Sequence, residues 1–180
     1  MLRFDLKSSW RRYTIAIVAA VLLAPGCGKV AEPVPPPVTL EIKDYDALVA
    51  TIGRHRGKVV VVDAWSTSCE PCMKEFPHLV ELSREHPKVA CISVSLDYEG
   101  VGKPEEQRAK VLGFLESQQA RFENILAAED SDTMLKKLGV ASIPAVFVYD
   151  ATGKLAKTFD RPGFTYADVG AEVRRLLGEP

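Results

Sequence analysis

Two cysteines, Cys69 and Cys72, stand where an apolar run gives way to a helical pattern. Residues 59–62 are four valines, which is typical of a buried strand, and an apolar stripe of helical spacing follows the second cysteine. The N-terminus of a helix supplies unpaired N–H groups and a partial positive charge, and both stabilise a thiolate. A Cys-x-x-Cys pair at this junction is typical of a redox-active dithiol between a strand and a helix.

The same spacing also occurs in half of a zinc site and in short structural disulfides. Zinc needs four ligands, and the remaining candidates are Cys27, Cys91 and three histidines that form no paired ligand motif. A structural disulfide across two intervening residues closes almost no loop, so it would constrain the unfolded chain little. The redox interpretation is therefore favoured, and no metal is expected. Cys91 lies within an apolar run and is expected to be a core residue.

The first 27 residues are expected to lie outside the fold. Four basic residues lie within residues 3–12, an apolar stretch covers residues 15–23, and small residues precede Cys27. This order is typical of an export signal. Its end resembles a bacterial lipoprotein signal, which predicts lipidation of Cys27; cleavage without lipid and an uncleaved anchor are the alternatives. We therefore predict a signal peptide over residues 1–27 and an exported protein of the cell envelope or periplasm.

A proline-rich segment over residues 28–38 predicts an extended linker, followed by a folded domain over residues 39–180. The formal net charge of −1 gives no reason to expect a nucleic-acid partner. In the domain, apolar runs alternate with helical patterns, and the last two runs flank a turn signal at residues 150–153. This order predicts an α/β fold with a central mixed sheet and helices on both faces. The expected strands cover residues 39–42, 58–64, 89–96, 124–127, 145–149 and 155–159, and the expected helices cover residues 46–53, 70–86, 104–119, 130–138 and 165–177.

Three motifs together resemble the thioredoxin superfamily. They are the segment from Val62 to Trp65, the dithiol, and the segment from Gly139 to Pro144. The sequence from Cys69 to Pro77 is similar to the exported, membrane-tethered TlpA/ResA type of thiol-disulfide oxidoreductase, and the resemblance covers about residues 39–178. It implies a thioredoxin-like fold, protein disulfides as substrates and no small cofactor. It also implies a dithiol electron donor, often a membrane protein, and a role in cytochrome c maturation or envelope redox homeostasis.

The dithiol suggests a division of roles. Cys69 is nearer the helix start and nearer solvent, so we expect it to be the nucleophile, with Cys72 resolving the mixed disulfide. Glu70 places a carboxylate beside the nucleophile, which disfavours the thiolate and predicts a reducing dithiol, unless the side chain is screened by solvent. Pro71 fits the first turn of a helix, where a missing N–H costs little.

The resemblance implies roles for residues outside the dithiol. Asp63 is expected to relay a proton to or from Cys72; the alternative is an acid paired with local backbone or a lysine. Pro144 is expected to be cis and, with Ile143, to pair with a substrate segment beside Cys69. Trp65 is expected to pack under the active loop or simply to fill the core, and Asp97 to lie near the dithiol or to be a solvated loop acid. Pro71, Trp65, Asp97, Ile143 and Pro144 form the predicted substrate surface.

Two other functions use similar residues. A peroxiredoxin would carry proline seven places before its reactive cysteine, where this chain has Val62, although Ser66 fits the hydroxyl position of that motif. A non-catalytic chaperone for reduced apoprotein or metal would not need an intact dithiol. We therefore expect a thiol-disulfide oxidoreductase.

Overall fold

The computed structural model describes residues 35–179. The predicted signal peptide, Cys27 and the first part of the linker, residues 28–34, lie outside the described residues. Six strands and five helices follow one another, with a 3-10 turn before the third helix. Their bounds are β1 Glu41–Lys43, α1 Tyr45–Arg54, β2 Val60–Trp65, α2 Glu70–Glu85, β3 Ala90–Ser95, the 3-10 turn Pro104–Gln107, α3 Arg108–Gln118, β4 Glu123–Ala127, α4 Ser131–Leu138, β5 Ala145–Tyr149, β6 Leu155–Phe159 and α5 Tyr166–Leu177.

All six strands form one mixed sheet in the order β1-β4-β3-β2-β5-β6. The first four of these strands are parallel, and β5 and β6 run antiparallel to their neighbours. Strand β2 therefore lies inside the sheet, and its C-terminal end leads directly into the cysteine loop. The predicted α/β fold with a mixed sheet is confirmed.

The side chains of β2 alternate between the two faces of the sheet. Val61 and Trp65 pack into a core with residues of α2, α3 and α5. Val60, Val62 and Ala64 pack into a second core with residues of α1 and α4. Helices therefore cover both faces, as predicted, and the alternation puts Asp63 on the same face as α2 and α5.

Local signals set most helix ends. Asp44 and Asp130 cap α1 and α4 by accepting backbone N–H bonds, and Gly139 ends α4 at a φ of 74° that favours glycine. The helix expected from residue 104 instead begins with the 3-10 turn. Lys103 offers no side-chain acceptor there, and the first turn closes through the tighter bond from the Glu106 N–H to the Lys103 carbonyl, 3.0 Å.

Residues 35–38 have no regular secondary structure and lie against the domain. The Arg121 Nε–H donates to the Pro36 carbonyl at 3.1 Å, and Val38 packs on the core. Pro35 lines a surface hollow with Ser83 and Arg84 from the last turn of α2. Within residues 35–179, no helix has both the length and the apolar character needed to cross a membrane.

Candidate active site

The cysteine pair lies at the first turn of α2, where the sequence places it. Cys69 is the N-cap residue, and the Cys72 N–H donates to the Cys69 sulfur at 3.2 Å. The two sulfurs form a disulfide with an S–S distance of 2.02 Å. Cys69 is half-buried, whereas Cys72 is only 2% exposed. The helix N-terminus therefore faces the sulfur that solvent can reach, and this arrangement favours a thiolate on Cys69 after reduction.

The two residues between the cysteines are both exposed. Glu70 is the first residue of α2 and Pro71 the second, a position where proline costs the helix no hydrogen bond. Because the Glu70 carboxylate is in contact with solvent, its charge is screened. The expected effect of Glu70 on the thiolate stays a prediction.

Asp97 lies beneath the loop that precedes the dithiol and is 8% exposed. Its carboxylate accepts the Thr67 N–H at 3.0 Å, the Thr67 hydroxyl, and the Ser95 hydroxyl at 2.7 Å. Lys110 adds an ammonium group at 3.3 Å. Asp97 is thus a buried acid that fixes the loop two residues before Cys69, and it is not a solvated loop acid. Its expected contact with substrate stays a prediction.

Trp65 is fully buried behind the same loop. Its ring packs on Phe76 of α2 at 4.7 Å and on Phe114 of α3 at 4.8 Å between centroids. The indole Nε1–H has no hydrogen-bond partner among the described residues. The side chain therefore fills the core under the loop, as both packing expectations for Trp65 allow, and because it is fully buried it does not form part of the predicted substrate surface.

Asp63 is 4% exposed, in the middle of β2. The hydroxyl of Tyr166, the first residue of α5, donates to Asp63 Oδ2 at 2.5 Å. The pKa of Asp63 is raised to about 7, mainly because the carboxyl group is buried. The hydrogen bond from Tyr166 lowers this pKa, and the negative charge of Glu75 raises it. Within residues 35–179, Asp63 is therefore paired with a distant tyrosine and neither with a lysine nor with local backbone. Sequence reasoning missed Tyr166, because nothing in its local pattern points to a residue 103 positions away.

A hollow of about 420 Å³ lies beside the dithiol. Pro71, Ile143 and Pro144 line it, and the Ile143–Pro144 peptide bond is cis, as the resemblance implies. Lys74 and Glu75 of α2 form one wall, and residues 160–164, after β6, form another. The structure thus brings three of the predicted substrate-binding residues to one hollow. The wall at residues 160–164 was not predicted.

Cys91 lies in β3 and is 5% exposed. Burial, together with the charge of Asp63, raises the pKa of its thiol to about 12, so this cysteine stays protonated. The expectation that Cys91 is a core residue is confirmed. Within residues 35–179, no group of three or more histidine, cysteine or acidic side chains is arranged to hold a metal ion.

Comparisons with known proteins agree with this geometry. A family model described as thioredoxin-like matches residues 57–155. The thiol-disulfide oxidoreductase ResA of Geobacillus thermodenitrificans is 31% identical over 116 residues, which cover 64% of this chain and 62% of that protein. Sporulation thiol-disulfide oxidoreductase A of Bacillus subtilis is 25% identical over 151 residues, which cover 82% of this chain and 88% of that protein. The chain spans less than two thirds of the length of the ResA proteins that it matches first.

Solved structures share the fold. The crystal structure of a secreted Mycobacterium tuberculosis disulfide oxidoreductase, homologous to E. coli DsbE, matches with a TM-score of 0.55 at 18% identity, and the match covers 68% of this chain and 85% of that one. The family model covers more than half of the sequence, from three residues before β2 to the first residue of β6. The chain belongs to the thioredoxin-like family.

Proposed function

We propose that this protein is a thiol-disulfide oxidoreductase that reduces protein disulfides. The observation that carries the proposal is the unequal placement of the two sulfurs. Cys69 is the half-buried N-cap of α2 with a backbone N–H directed at its sulfur, and Cys72 is buried behind it. One sulfur is thus accessible and prepared as a thiolate, and the other is protected from solvent.

The reaction follows from this arrangement. In the reduced protein, the Cys69 thiolate attacks one sulfur of a substrate disulfide; a mixed disulfide forms, and the other substrate sulfur leaves and takes up a proton from solvent. Cys72 then loses its proton and attacks Cys69, which releases the second substrate sulfur. The second substrate sulfur also takes up a proton from solvent, so the substrate gains two electrons from the dithiol and two protons from solvent, and the Cys69–Cys72 disulfide remains.

Asp63 is the proposed acceptor of the Cys72 proton. It lies on the face of β2 that packs against α2, the helix that carries Cys72. A base works best when its pKa is near the working pH, and the pKa of Asp63 is about 7. This carboxyl group therefore suits proton exchange near neutral pH.

The hollow beside the dithiol is the proposed substrate site. Ile143 and Pro144 border it together with Pro71, so a substrate segment seated there would lie next to the active loop. Asp97 supports that loop through Thr67 and Ser95. The occupant would be an extended segment of a protein that carries a disulfide.

The remaining features of the proposal are the direction, the donor and the location. The reducing direction rests on the sequence-based expectation for Glu70, and a second dithiol protein, in the membrane, would restore the reduced form. The relatives named thiol-disulfide oxidoreductases support the activity itself. Export and a lipid on Cys27 rest on the sequence of residues 1–27, and a role in cytochrome c maturation or envelope redox homeostasis rests on the resemblance to the TlpA/ResA type.

Insulin reduction with dithiothreitol as the electron source tests the activity. We expect wild-type protein and the control Cys91→Ala to reduce insulin, and Cys69→Ser to lose the activity. Cys72→Ser should accumulate a mixed disulfide with the substrate. A Cys69→Ser variant that reduces insulin at the wild-type rate would refute the proposal.

Direction and location have separate tests. We expect a reduction potential near that of thioredoxin, about −270 mV, and a value near that of DsbA, about −120 mV, would contradict the reducing role.

Expression of the full chain in a bacterium, followed by fractionation and mass spectrometry, tests the lipid. We expect the wild-type protein in the membrane fraction with a lipid mass on Cys27; recovery of Cys27→Ala in that same fraction would contradict the lipid tether.

A further inference from the structure

We propose that Tyr166 is a positioning residue for the second step of the dithiol reaction: its hydroxyl holds the Asp63 carboxylate ready to take the Cys72 proton. The inference rests on the proposed oxidoreductase function and adds a residue that neither the sequence motifs nor the comparisons indicate. It also gives the C-terminal helix, α5, a part in chemistry at the start of α2.

Tyr166 and Asp63 are both held in place by the fold around them. Tyr166 is the first residue of α5 and is 7% exposed. The Asp168 carboxylate accepts the Thr165 N–H at 2.9 Å, and the Thr165 carbonyl accepts the Asp168 N–H at 3.0 Å, so that helix end is held by two hydrogen bonds. The phenol therefore has a set position, from which it reaches Asp63 Oδ2 at 2.5 Å. Among the described residues, no other side chain donates a hydrogen bond to the Asp63 carboxyl group.

The charges around Asp63 come from three elements. Glu75 faces it from α2, Cys91 from β3 and Tyr166 from α5. Burial and the Glu75 charge favour the neutral acid, and Cys91 stays a neutral thiol because burial raises its pKa to about 12. Burial and the Asp63 charge likewise keep the pKa of Tyr166 well above its usual value, so it remains a donor. Tyr166 is thus the group that favours the ionised carboxylate against the rest of its surroundings.

The hydroxyl does not give up its proton in the reaction. The proton on the Cys72 sulfur passes to Asp63, the Cys72 sulfur bonds to Cys69, and the bond between Cys69 and the substrate sulfur breaks. Asp63 later returns the proton to solvent. Without the phenol hydroxyl, the pKa of Asp63 would rise further, and less of the base form would be present at neutral pH.

The substitution Tyr166→Phe tests this role because it removes the hydroxyl and keeps the ring. A hydrogen bond to a charged group corresponds to about one to two pH units. We therefore expect the rate of mixed-disulfide resolution, followed by stopped flow between pH 5.5 and 9.5, to shift its profile upward by about that amount. Because the pKa of Asp63 in the wild-type protein is about 7, an increase of this size leaves less carboxylate at pH 7, and the second step should slow about 5- to 50-fold at that pH. Attack by Cys69, which does not use Asp63, is the internal reference.

Controls separate this role from a general loss of structure. Tyr149→Phe removes the hydroxyl of a half-buried tyrosine that packs in the core with α1 and α4, and it should keep the wild-type profile. Asp63→Asn should remove the pH dependence, and adding Tyr166→Phe to it should change nothing more. A Tyr166→Phe profile equal to that of wild type would overturn the inference. Insulin reduction by Cys69→Ser would instead overturn the proposed function, whatever Tyr166→Phe does.

A measurement on wild-type protein covers the case in which Tyr166→Phe does not fold. In the oxidised protein, the ¹³C signals of the Asp63 carboxyl carbon and the Tyr166 ring carbon that bears the hydroxyl are followed against pH. We expect both signals to change with one common midpoint, near 7. A Tyr166 signal that stays constant while Asp63 titrates would overturn the inference.

Discussion

Replacing Asp63 with asparagine should make the oxidised protein more stable at alkaline pH. The pKa of Asp63 is about 7 in the folded protein against a reference value of 3.8. The unfolded chain therefore loses this proton near pH 4, whereas the folded protein keeps it until about pH 7. Across that window the folded state binds more protons, so its stability falls as the pH rises and levels off above about 7. Three pKa units correspond to about 4 kcal/mol.

Asparagine removes the titration and keeps most of the local contacts. Its amide oxygen can still accept the Tyr166 hydrogen bond, and its volume is close to that of aspartate. The stability of Asp63→Asn relative to wild type should therefore increase by about 4 kcal/mol between pH 4 and pH 8. The same substitution should slow the second step of the proposed reaction, because the proton acceptor is gone.

Urea unfolding of the oxidised protein at pH 4 and pH 8 measures this difference. Asp132→Asn is the matched control, because Asp132 is exposed on α4 and makes no side-chain hydrogen bond among the described residues. The control should show nearly the same difference from wild type at both pH values. If Asp63→Asn behaves like the control, then the Asp63 carboxyl is not a buried group with a raised pKa, and the reasoning fails.

Three further predictions concern the surroundings of the site. Phe76→Ala should lower the free energy of unfolding by about 3–5 kcal/mol in urea, because it empties a fully buried position against Trp65; a loss below 1 kcal/mol would contradict the packing. Asp97→Ala should lower it by about 2–3 kcal/mol, because the partly buried donors of Thr67 and the buried hydroxyl of Ser95 lose their acceptor. Lys110→Ala removes only a 56% exposed ammonium group and should lower the free energy of unfolding by less than about 1 kcal/mol. If Asp97→Ala and Lys110→Ala lower it equally, the hydrogen bonds from Thr67 and Ser95 to Asp97 do not stabilise the fold. Iodoacetamide at pH 8 should label Cys69 of the reduced native protein and leave Cys91 unlabelled until urea is added, since burial raises the pKa of Cys91 to about 12; rapid native labelling of Cys91, seen by mass spectrometry, would contradict its burial.

Local rules predicted much of the fold. Helix α2 runs within one residue of its predicted bounds, and Asp44 and Gly139 act as the caps their residue types suggest. These features depend on residues a few positions apart, so their patterns are visible in the sequence. The cis bond before Pro144 is different, because cis bonds are a minority at proline and only the resemblance favoured it.

The missed features depend on contacts between distant parts of the chain. Asp63 falls within the strand expected over residues 58–64, where an acid is costly to bury without a partner, but the partner, Tyr166, lies 103 residues away. Asp97 similarly looks like a loop acid until the fold brings Thr67 over it. The wall at residues 160–164 is irregular backbone, and its place beside Pro144 follows from the pairing of β5 with β6.

Pro35 lies across a surface hollow from the last turn of α2, and this position has a consequence for access to the dithiol. The dithiol lies at the first turn of that helix, and 16 residues of helix span about 24 Å. Pro35 therefore lies at the pole of the domain opposite the cysteines. A protein that reacts with Cys69 therefore approaches the domain at the end of α2 that is far from Pro35.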